Sequence, residues 1–490
     1  MPGLATLRPS GDSEACILLF IFIPILGRMA RSRRRGFWKP LTVAALTAVL
    51  AACAALPLPK LPDQVPARWQ QGDAPAAVDL RSWWTAFKDP ALDALVERAL
   101  AHNLSLGESV ARVEAARRLS AASELNHLPQ LGFHTYSEPT PDSSASYFQF
   151  GFDAKWELGW FGRRENEARI ARGSLEGSQA QAQAARVSVV AEVVKTWLEL
   201  RAAQQRENLL VPLARDAQRR SELTATRLRL RLAAPTELAL AKAREAAAEA
   251  ALVEPRVAIA RARHQLTALL GEVEPDPALN DFGAMPLLAD AGIERVPADL
   301  VRTRPEIRRA EAEVLKSAGE LGIAQADRYP RLGLGGALTY ASKVIGHTRL
   351  SDAAGIVTFG PAIEIPLFDW GQRESVVEAR NAELAASLLA YRRAVVEGVA
   401  DAETALATLE QQRLRTLALA QAIAPLEHEA QAAGTRQKLG LGDALGRIDA
   451  DGALAQARID LLAAQLDRGI AFVALYKALG GAPLPDGTLH

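Results

Sequence analysis

Two segments of the chain alternate apolar and polar residues with a period of two. In the first, the apolar positions are Phe148, Phe150, Phe152, Ala154, Trp156 and Leu158. In the second, they are Val357, Phe359, Pro361, Ile363, Ile365 and Leu367. A period of two places successive side chains on opposite faces of a β strand. Both segments therefore predict a strand with one apolar and one polar face.

Each alternating segment is the second strand of a predicted pair, and a very long helix follows it. The expected strands span residues 131–137, 146–158, 332–340 and 356–367. The long helices and their return helices are expected to form helical hairpins over residues 162–271 and 372–480. Because a proline inside a helix removes a hydrogen bond, kinks are expected at Pro212 and Pro425.

The same order of elements occurs twice along the chain. The segments ELNHLPQLGF and QADRYPRLGL align with an offset of 201 residues and precede the two strand pairs. The sequence therefore predicts a tandem duplication with repeats at 81–285 and 286–484. An acylated, extended tether at 53–80 precedes the repeats, and an upstream extension with a signal peptide occupies 1–52.

The amino-terminal segment predicts a bacterial lipoprotein signal. Basic residues within 31–39 precede an apolar run at 41–50, which ends in the sequence LAAC with Cys53. The run is too short to span a bilayer comfortably, and its end resembles the site at which a lipoprotein cysteine is acylated. We expect a lipid on Cys53 and a translation start at Met29. A signal peptide with a coincidental cysteine is the alternative, as is a short membrane anchor within 1–28.

Composition narrows the classes of function. The chain contains 57 Lys and Arg against 57 Asp and Glu, so its formal net charge is zero. Nucleic-acid-binding proteins usually carry a basic patch, so a net charge of zero gives no support for nucleic acid as a partner. The two cysteines and seven histidines show no zinc-ligand spacing and no pairing of nucleophile with base. We therefore expect no enzyme, no metal site, and no cofactor besides the covalent lipid.

The predicted strands suit a membrane better than a soluble core. Aromatic residues concentrate at the strand ends, as in the interfacial girdle of a transmembrane barrel. The girdle residues are Trp156, Trp160, Phe161, Phe368 and Trp370. A soluble α+β protein with a small buried sheet is the alternative, but charges on the opposite strand face oppose it.

Four strands cannot close a barrel, and lipid does not tolerate an open sheet edge. Three chains would supply twelve strands, with room for water beside small residues such as Gly132, Gly333 and Gly335. The helices carry too many charges for hydrocarbon and are expected to continue into the aqueous compartment. We predict an α+β membrane protein, a trimeric 12-stranded β-barrel with four strands per chain, continued by a long α-helical barrel.

Together these features resemble the TolC-type outer membrane efflux family, in its acylated branch associated with resistance-nodulation-division transporters. The resemblance covers residues 75–484. It rests on LAAC, SWWTAFKDPALDALVERALAHN, the LPQLGF and YPRLGL pair, WELGWFGRR, PLFDWGQR and ALYKALGG. It implies a homotrimer in the bacterial outer membrane, with a helical tunnel through the periplasm whose tip is closed. The partners that it implies are a periplasmic adaptor and an inner-membrane transporter.

The resemblance also implies a gate at the second hairpin. GLGDALGRIDA matches the family's gate segment, so that Asp449 takes one ring position. Gly446 stands at the other position, where the family often has aspartate, and Arg447 changes the local charge. Three Asp449 carboxylates would favour cations; a solvated helix charge is the alternative. Asp443, beside the turn, is expected to cap a helix.

A second implied surface is the pair of exposed hairpin loops. Adaptor docking is expected at Ala234, Pro235, Gly440, Leu441 and Gly442. The three arginines Arg227, Arg229 and Arg231 alternate near the first loop. They either pair across helices to hold a closed state or form a solvated face.

The predicted function is that of a passive exit channel for a tripartite efflux pump. An alternative with the same fold is the outer membrane duct of type I protein secretion. An alternative from another class is a periplasmic helical scaffold lipoprotein, which would show no conductance.

Overall fold

The computed structural model describes residues 58–59, 61, 82–138, 147–288, 302–345 and 349–481. The predicted signal peptide, Cys53 and most of the tether lie outside the described residues. Within the described ranges, no helix contains an 18-residue stretch apolar enough to cross a membrane.

The first repeat follows the predicted order of elements. Its helices and strands are α1 (Pro90–His102), α2 (Leu104–Leu125), β1 (Gln130–Glu138), β2 (Tyr147–Glu157), α3 (Arg163–Arg229), α4 (Pro235–Ala250) and α5 (Val253–Leu269). The return helix, expected to be continuous, is broken between α4 and α5. Pro255 lies in the first turn of α5, where its missing N–H needs no intrahelical acceptor. Pro212 instead lies inside α3, which continues through it.

The second repeat has the same order with longer strands. Its elements are α6 (Pro305–Ala326), β3 (Arg331–Ile345), β4 (Arg349–Glu364), α7 (Gln372–Lys438) and α8 (Ala444–Ala478). The polar segment from Lys343 to Asp352 was predicted to be a loop, but residues 343–345 belong to β3 and residues 349–352 belong to β4. Lys343 pairs with Ser351, and Ile345 pairs with Arg349. Because ladder hydrogen bonds come from the backbone, pairing continues where the side-chain alternation has ended.

The four strands form one antiparallel sheet in the order β1-β2-β3-β4. Its register confirms the predicted faces, because directly opposite residues of neighbouring strands share a face. One apolar row runs through Phe133, Phe152, Leu338 and Val357. The small residue Gly335 lies opposite Lys155 and Gly360 on the other face. The sheet therefore has one apolar face, and a second face that is polar or lined by small residues.

The chain divides into two compact units, and each repeat contributes to both. The strand unit contains Ala122–Ile170 and Ala318–Ala382. The helical unit contains Lys60–Ala121, Ala171–Ser317 and Glu383–His490, insofar as these are described.

Within the helical unit, an aromatic cluster anchors the segment that precedes α1. The Trp83 and Tyr476 rings stack with centroids 5.1 Å apart, and Phe87 meets Phe472 edge to face at 5.5 Å. Asp89 caps α1 by accepting a hydrogen bond from the amide of Ala91 at 2.9 Å. Burial of these rings and of α1 residues such as Leu92 fixes the segment 83–87 and α1 against α8 and its neighbours.

Within the strand unit, close helix packing requires glycine on α6. A Cβ atom at Gly319 would lie 2.8 Å from the carbonyl oxygen of Asn166 on α3. A Cβ atom at Gly322 would lie 2.2 Å from the side chain of the same asparagine. Asn166 is 2% exposed, and its side-chain amide donates a hydrogen bond to the carbonyl of Gly162 at 2.9 Å. The two glycines therefore set the distance between α6 and the start of α3.

Candidate functional site

The ends of the two helical hairpins have equivalent backbone geometry. Past the end of α3, Arg231 has a φ of 58°, and the amide of Leu232 donates to the carbonyl of Arg227 at 2.7 Å. Past the end of α7, Gly440 has a φ of 72°, with an equivalent bond from Leu441 at 2.8 Å. This is the geometry of a helix closed by a left-handed residue, where glycine is usual. The first hairpin carries arginine at that position.

The return helices start with different caps. In α4, the Glu237 carboxylate accepts a hydrogen bond from the amide of Ala234 at 2.9 Å, and Pro235 follows at the first helical position. In α8, the Asp443 carboxylate accepts from the amide of Gly446 at 2.9 Å. The predicted role of Asp443 as a helix cap is confirmed. A Cβ at Gly446 would meet this carboxylate at 3.0 Å.

All five predicted docking residues are exposed at these turns. They are Ala234, Pro235, Gly440, Leu441 and Gly442. Leu441 is 75% exposed, and Leu232, its counterpart on the first hairpin, is 64% exposed. The two turns therefore present apolar side chains as well as open backbone.

Asp449 lies in the second turn of α8 and pairs with the guanidinium of Arg220 on α3. The Arg220 side chain is 17% exposed and that of Asp449 is 66% exposed. The ion pair joins the outgoing helix of the first hairpin to the return helix of the second. Sequence reasoning missed Arg220, because α3 carries many arginines and no local pattern distinguishes the one that faces α8.

Further charges surround this ion pair. The Arg447 Nε atom lies 3.1 Å from an Asp451 carboxylate oxygen, four residues further along α8. On α3, burial raises the pKa of Asp216, and the negative charge of Asp451 raises it further. The guanidinium groups of Arg447 and Arg220 act in the opposite direction. The predicted gate segment is therefore a compact network of alternating charges rather than an isolated carboxylate.

The predicted girdle residues lie where the sheet meets the helices of the strand unit. Trp156 donates a hydrogen bond from its indole to the carbonyl of His127 at 2.8 Å. Phe161 stacks on Tyr329 with ring centroids 5.1 Å apart. The other three residues are Trp160, Phe368 and Trp370, which are 54%, 74% and 90% exposed. The exposed rings thus lie just beyond the ends of β2 and β4.

Across the parts of the chain that the structure describes, no group of three or more His, Cys, Asp or Glu side chains could hold a metal ion. The predicted lipidation site, Cys53, is outside those parts.

Comparison with known proteins identifies the family. A sequence-family model described as outer membrane efflux protein matches residues 95–272 and 296–481. The chain is similar to the outer membrane protein OprJ of Pseudomonas aeruginosa, with 28% identity over 475 residues, or 92% of this chain and 96% of that protein.

Two solved channels have the same fold. The outer-membrane channel OprN matches with a TM-score of 0.74 and 27% identity, covering 87% of this chain and 98% of that one. The open state of the Neisseria gonorrhoeae MtrE outer membrane channel matches with a TM-score of 0.73 and 26% identity, over 88% and 98%. The family match spans most of both repeats, so the resemblance seen in the sequence is confirmed: this chain belongs to the outer membrane efflux protein family of TolC-type channels.

Proposed function

We propose that this protein is the passive exit channel of a tripartite efflux pump, conducting small molecules or ions across the outer membrane. A periplasmic adaptor and a resistance-nodulation-division transporter of the inner membrane would deliver the cargo. The observation that carries the proposal is the two-faced sheet of the strand unit. Its exposed apolar residues include Phe359, 82% exposed, and Val357, 76% exposed. A surface of this kind suits lipid on one side and water on the other.

The sheet also supports a trimer. In the described sheet, β1 pairs only with β2 and β4 pairs only with β3, which leaves two free edges. Free strand edges cannot be left unpaired in hydrocarbon. In the proposed homotrimer, β4 of one chain pairs with β1 of the next and closes a 12-stranded barrel, continued by an α-helical barrel. One membrane interface would be marked by the aromatic girdle, which consists of Trp156, Trp160, Phe161, Phe368 and Trp370. An acyl chain on Cys53 would anchor the protein further.

The proposed gate is the charge network around Asp449. Because Arg220 neutralises Asp449 within one chain, three chains would place three ion pairs at the constriction instead of three bare carboxylates. The pair would hold the two hairpins together in the closed state, and Gly446 and Arg447 would flank it. Exposed ion pairs contribute at most about 1 kcal/mol each, so a bound adaptor could separate them. We place adaptor docking at Ala234, Pro235, Gly440, Leu441 and Gly442, and propose no cofactor besides the lipid.

Single-channel conductance in planar bilayers tests the proposal. The native protein is expected to show small, mostly closed openings. Asp449→Ala and Arg220→Ala should each enlarge the openings, because either change removes the ion pair. Two matched controls should leave conductance unchanged. Asp460→Ala removes an exposed carboxylate about three turns further along α8, and Arg219→Ala removes the arginine beside Arg220.

The outcomes separate the possibilities. If the gate variants behave like the native channel, then the closed state is held elsewhere in the hairpins. If a folded native trimer shows no conductance at all, the exit-channel proposal is wrong and a non-conducting scaffold is favoured.

A further inference from the structure

The two free edges of the sheet, β1 and β4, meet between neighbouring chains of the proposed trimer. Their register follows from the duplication, because the two repeats are equivalent in backbone geometry as well as in order. The strands β1 and β3 correspond with the offset of 201 residues seen in the sequence. The left-handed residues Phe161 and Trp370 begin equivalent turns after β2 and β4. These two strands therefore correspond with the offset from 161 to 370, which is 209 residues.

An observed pair of strands tests these offsets. In the β1–β2 pair, Gln130 lies opposite Lys155. The two offsets carry these positions to 331 and 364, and Arg331 does lie opposite Glu364 in the β3–β4 pair. The repeats therefore pair their strands in the same register.

The same offsets give the register between chains. In the β2–β3 pair, Lys155 lies opposite Gly335. The offsets carry these positions to 364 in β4 and to 134 in β1. When β4 of one chain pairs with β1 of the next, as β2 pairs with β3, His134 therefore lies directly opposite the partner's Glu364.

This register matches the chemistry of both edges. Phe133 would meet the partner's Ile365 on the apolar face, whereas a slip of one residue would turn apolar side chains against polar ones. His134 is the only residue of β1 that can carry a positive charge. Glu364 is the only charged residue of β4 after Asp352. The register follows from the backbone alone, and it brings these two residues together.

A slip of two residues would keep the faces but lose this match. In one direction, the partner's Glu364 would lie opposite Gly132, whose neighbour within the chain is Asp153. Two carboxylates would then flank the glycine, and like charges so close oppose pairing. In the other direction, the partner's Glu364 would lie opposite the uncharged Tyr136. Because Pro361 gives no N–H to a strand ladder, side chains must contribute more to the choice of register.

Within its own chain, His134 already contacts one carboxylate. Its Nδ1 atom lies 2.9 Å from a carboxylate oxygen of Asp153, and the two side chains are 47% and 51% exposed. Gly132 leaves room for this contact, since a Cβ atom there would lie 3.1 Å from the same oxygen. A carboxylate only accepts hydrogen bonds, so Nδ1 donates. The other ring nitrogen, Nε2, makes no hydrogen bond to any residue that the structure describes.

We propose that His134 bridges two subunits: it links Asp153 of its own chain to the partner's Glu364 and selects the register in which the barrel closes. The inference rests on the proposed trimer and adds the contact at each of its junctions. Because the partner's Glu364 also only accepts, Nε2 must carry a proton too, and the bridge is an imidazolium between two carboxylates. Glu364 is exposed in the single chain. Arg331, which lies opposite Glu364 on β3, donates instead to Asp327 at 2.8 Å.

Disulfide cross-linking of the full-length protein tests the register. In Tyr136→Cys/Ala362→Cys, oxidation should join neighbouring chains into dimers and trimers on a denaturing gel, because directly opposite residues lie within disulfide reach. Within one chain, β2 and β3 separate the two positions by about 14 Å, so they cannot be joined.

Two matched variants represent slips of two residues. They are Tyr136→Cys/Gly360→Cys and Glu138→Cys/Ala362→Cys, and both should cross-link about tenfold more slowly. A side chain fits at Gly360, where no atom lies within 4 Å of the Cβ position. The single variants Tyr136→Cys and Ala362→Cys control for disulfides to the native cysteines.

Charge variants test the bridge itself. His134→Gln and Glu364→Gln should each lower the temperature at which the trimer dissociates by several degrees, followed by gel electrophoresis of heated samples. The double variant should dissociate no earlier than the less stable single variant, because both changes remove the same contact. His134→Lys keeps the positive charge and should retain most of the stability. Lys155→Gln is the matched control, because it removes an exposed charge from the same face of the sheet, but from β2, which is paired on both sides.

Several results would overturn the inference. They are cross-linking of a slipped pair as fast as that of Tyr136→Cys/Ala362→Cys, an unchanged dissociation temperature in His134→Gln and Glu364→Gln, or an equal loss in Lys155→Gln. The size and conductance of the native protein report on the exit-channel proposal separately. A conducting trimer that cross-links only in a slipped register refutes the bridge alone. A folded protein that stays monomeric refutes the trimer on which both proposals rest.

Discussion

The packing of α6 against the start of α3 gives a quantitative prediction at Gly322. In Gly322→Ala, the new methyl group would lie 2.2 Å from the Asn166 side chain, well inside contact distance. Asn166 is 2% exposed and bonded to the carbonyl of Gly162, so its amide cannot turn into solvent. Overpacking costs about 1–3 kcal/mol, and loss of the hydrogen bond adds about 1 kcal/mol. We expect a destabilisation of about 2–4 kcal/mol.

Thermal unfolding followed by circular dichroism, in detergent, measures this change as a Tm several degrees lower. The double variant Gly322→Ala/Asn166→Ala should recover part of the loss, because the obstacle is the asparagine side chain. In Gly319→Ala the obstacle is a backbone carbonyl 2.8 Å away, and Asn166→Ala should not rescue it. Gly177→Ala is the control. It lies in the interior of α3 with its nearest neighbour at 3.8 Å, and the change should stabilise by up to about 1 kcal/mol.

Two outcomes would refute this reasoning. The first is a Gly322→Ala protein as stable as the native one, which would mean that the helices separate at no cost. The second is a double variant no more stable than Gly322→Ala alone, which would place the obstacle outside the Asn166 side chain.

Three further predictions follow from single residues. Arg231→Gly should stabilise the end of α3 by about 1 kcal/mol, because its left-handed φ of 58° disfavours a side chain. Gly440→Ala should destabilise the end of α7 for the same reason. Amide hydrogen exchange at both helix ends measures these changes. Asp216→Asn should raise Tm at pH 7.5, because a raised pKa makes the charged form costly in the folded state. That gain should shrink as the pH falls through the raised folded pKa towards the ordinary pKa of aspartate, so the Tm difference between Asp216→Asn and the native protein should be smaller at pH 4.5 than at pH 7.5. Trp156→Phe removes a donor to the carbonyl of His127 and should cost about 1 kcal/mol in thermal unfolding, whereas an unchanged Tm would mean that water replaces the indole.

The sequence was informative wherever a period determined the structure. Strict alternation from Phe148 to Leu158 predicted β2 and assigned each side chain to a face, which the register confirms. Strand pairing that continues where apolar and polar residues no longer alternate was missed, as in the extension of β3 to Ile345. The break between α4 and α5, just before Val253, was also missed. A proline in a first turn and a proline in a helix interior look alike in sequence, and tertiary packing decides between them.

At the candidate site, contacts between residues that are close in sequence could be predicted, whereas contacts between different helices could not. Asp443 precedes a helix and could be recognised as a cap from its neighbours alone. The ion pair of Asp449 with Arg220 depends on which face of α3 meets α8, and neither helix carries that information locally. The same holds for Gly322, whose requirement for glycine is set by an asparagine far away in the chain.

The turn that joins each strand pair to its long helix has the same pair of left-handed residues in both repeats. Phe161 and Gly162 have φ values of 57° and 76°, and Trp370 and Gly371 have values of 58° and 82°. Two left-handed residues in succession leave the chain little freedom, so the turn fixes the rotational phase with which the helix begins. One residue inserted after the turn would rotate every later helical position by about 100°. Chimeras that exchange strand pairs between related channels should therefore be joined before Phe161 and Trp370, so that each turn stays with its own helix.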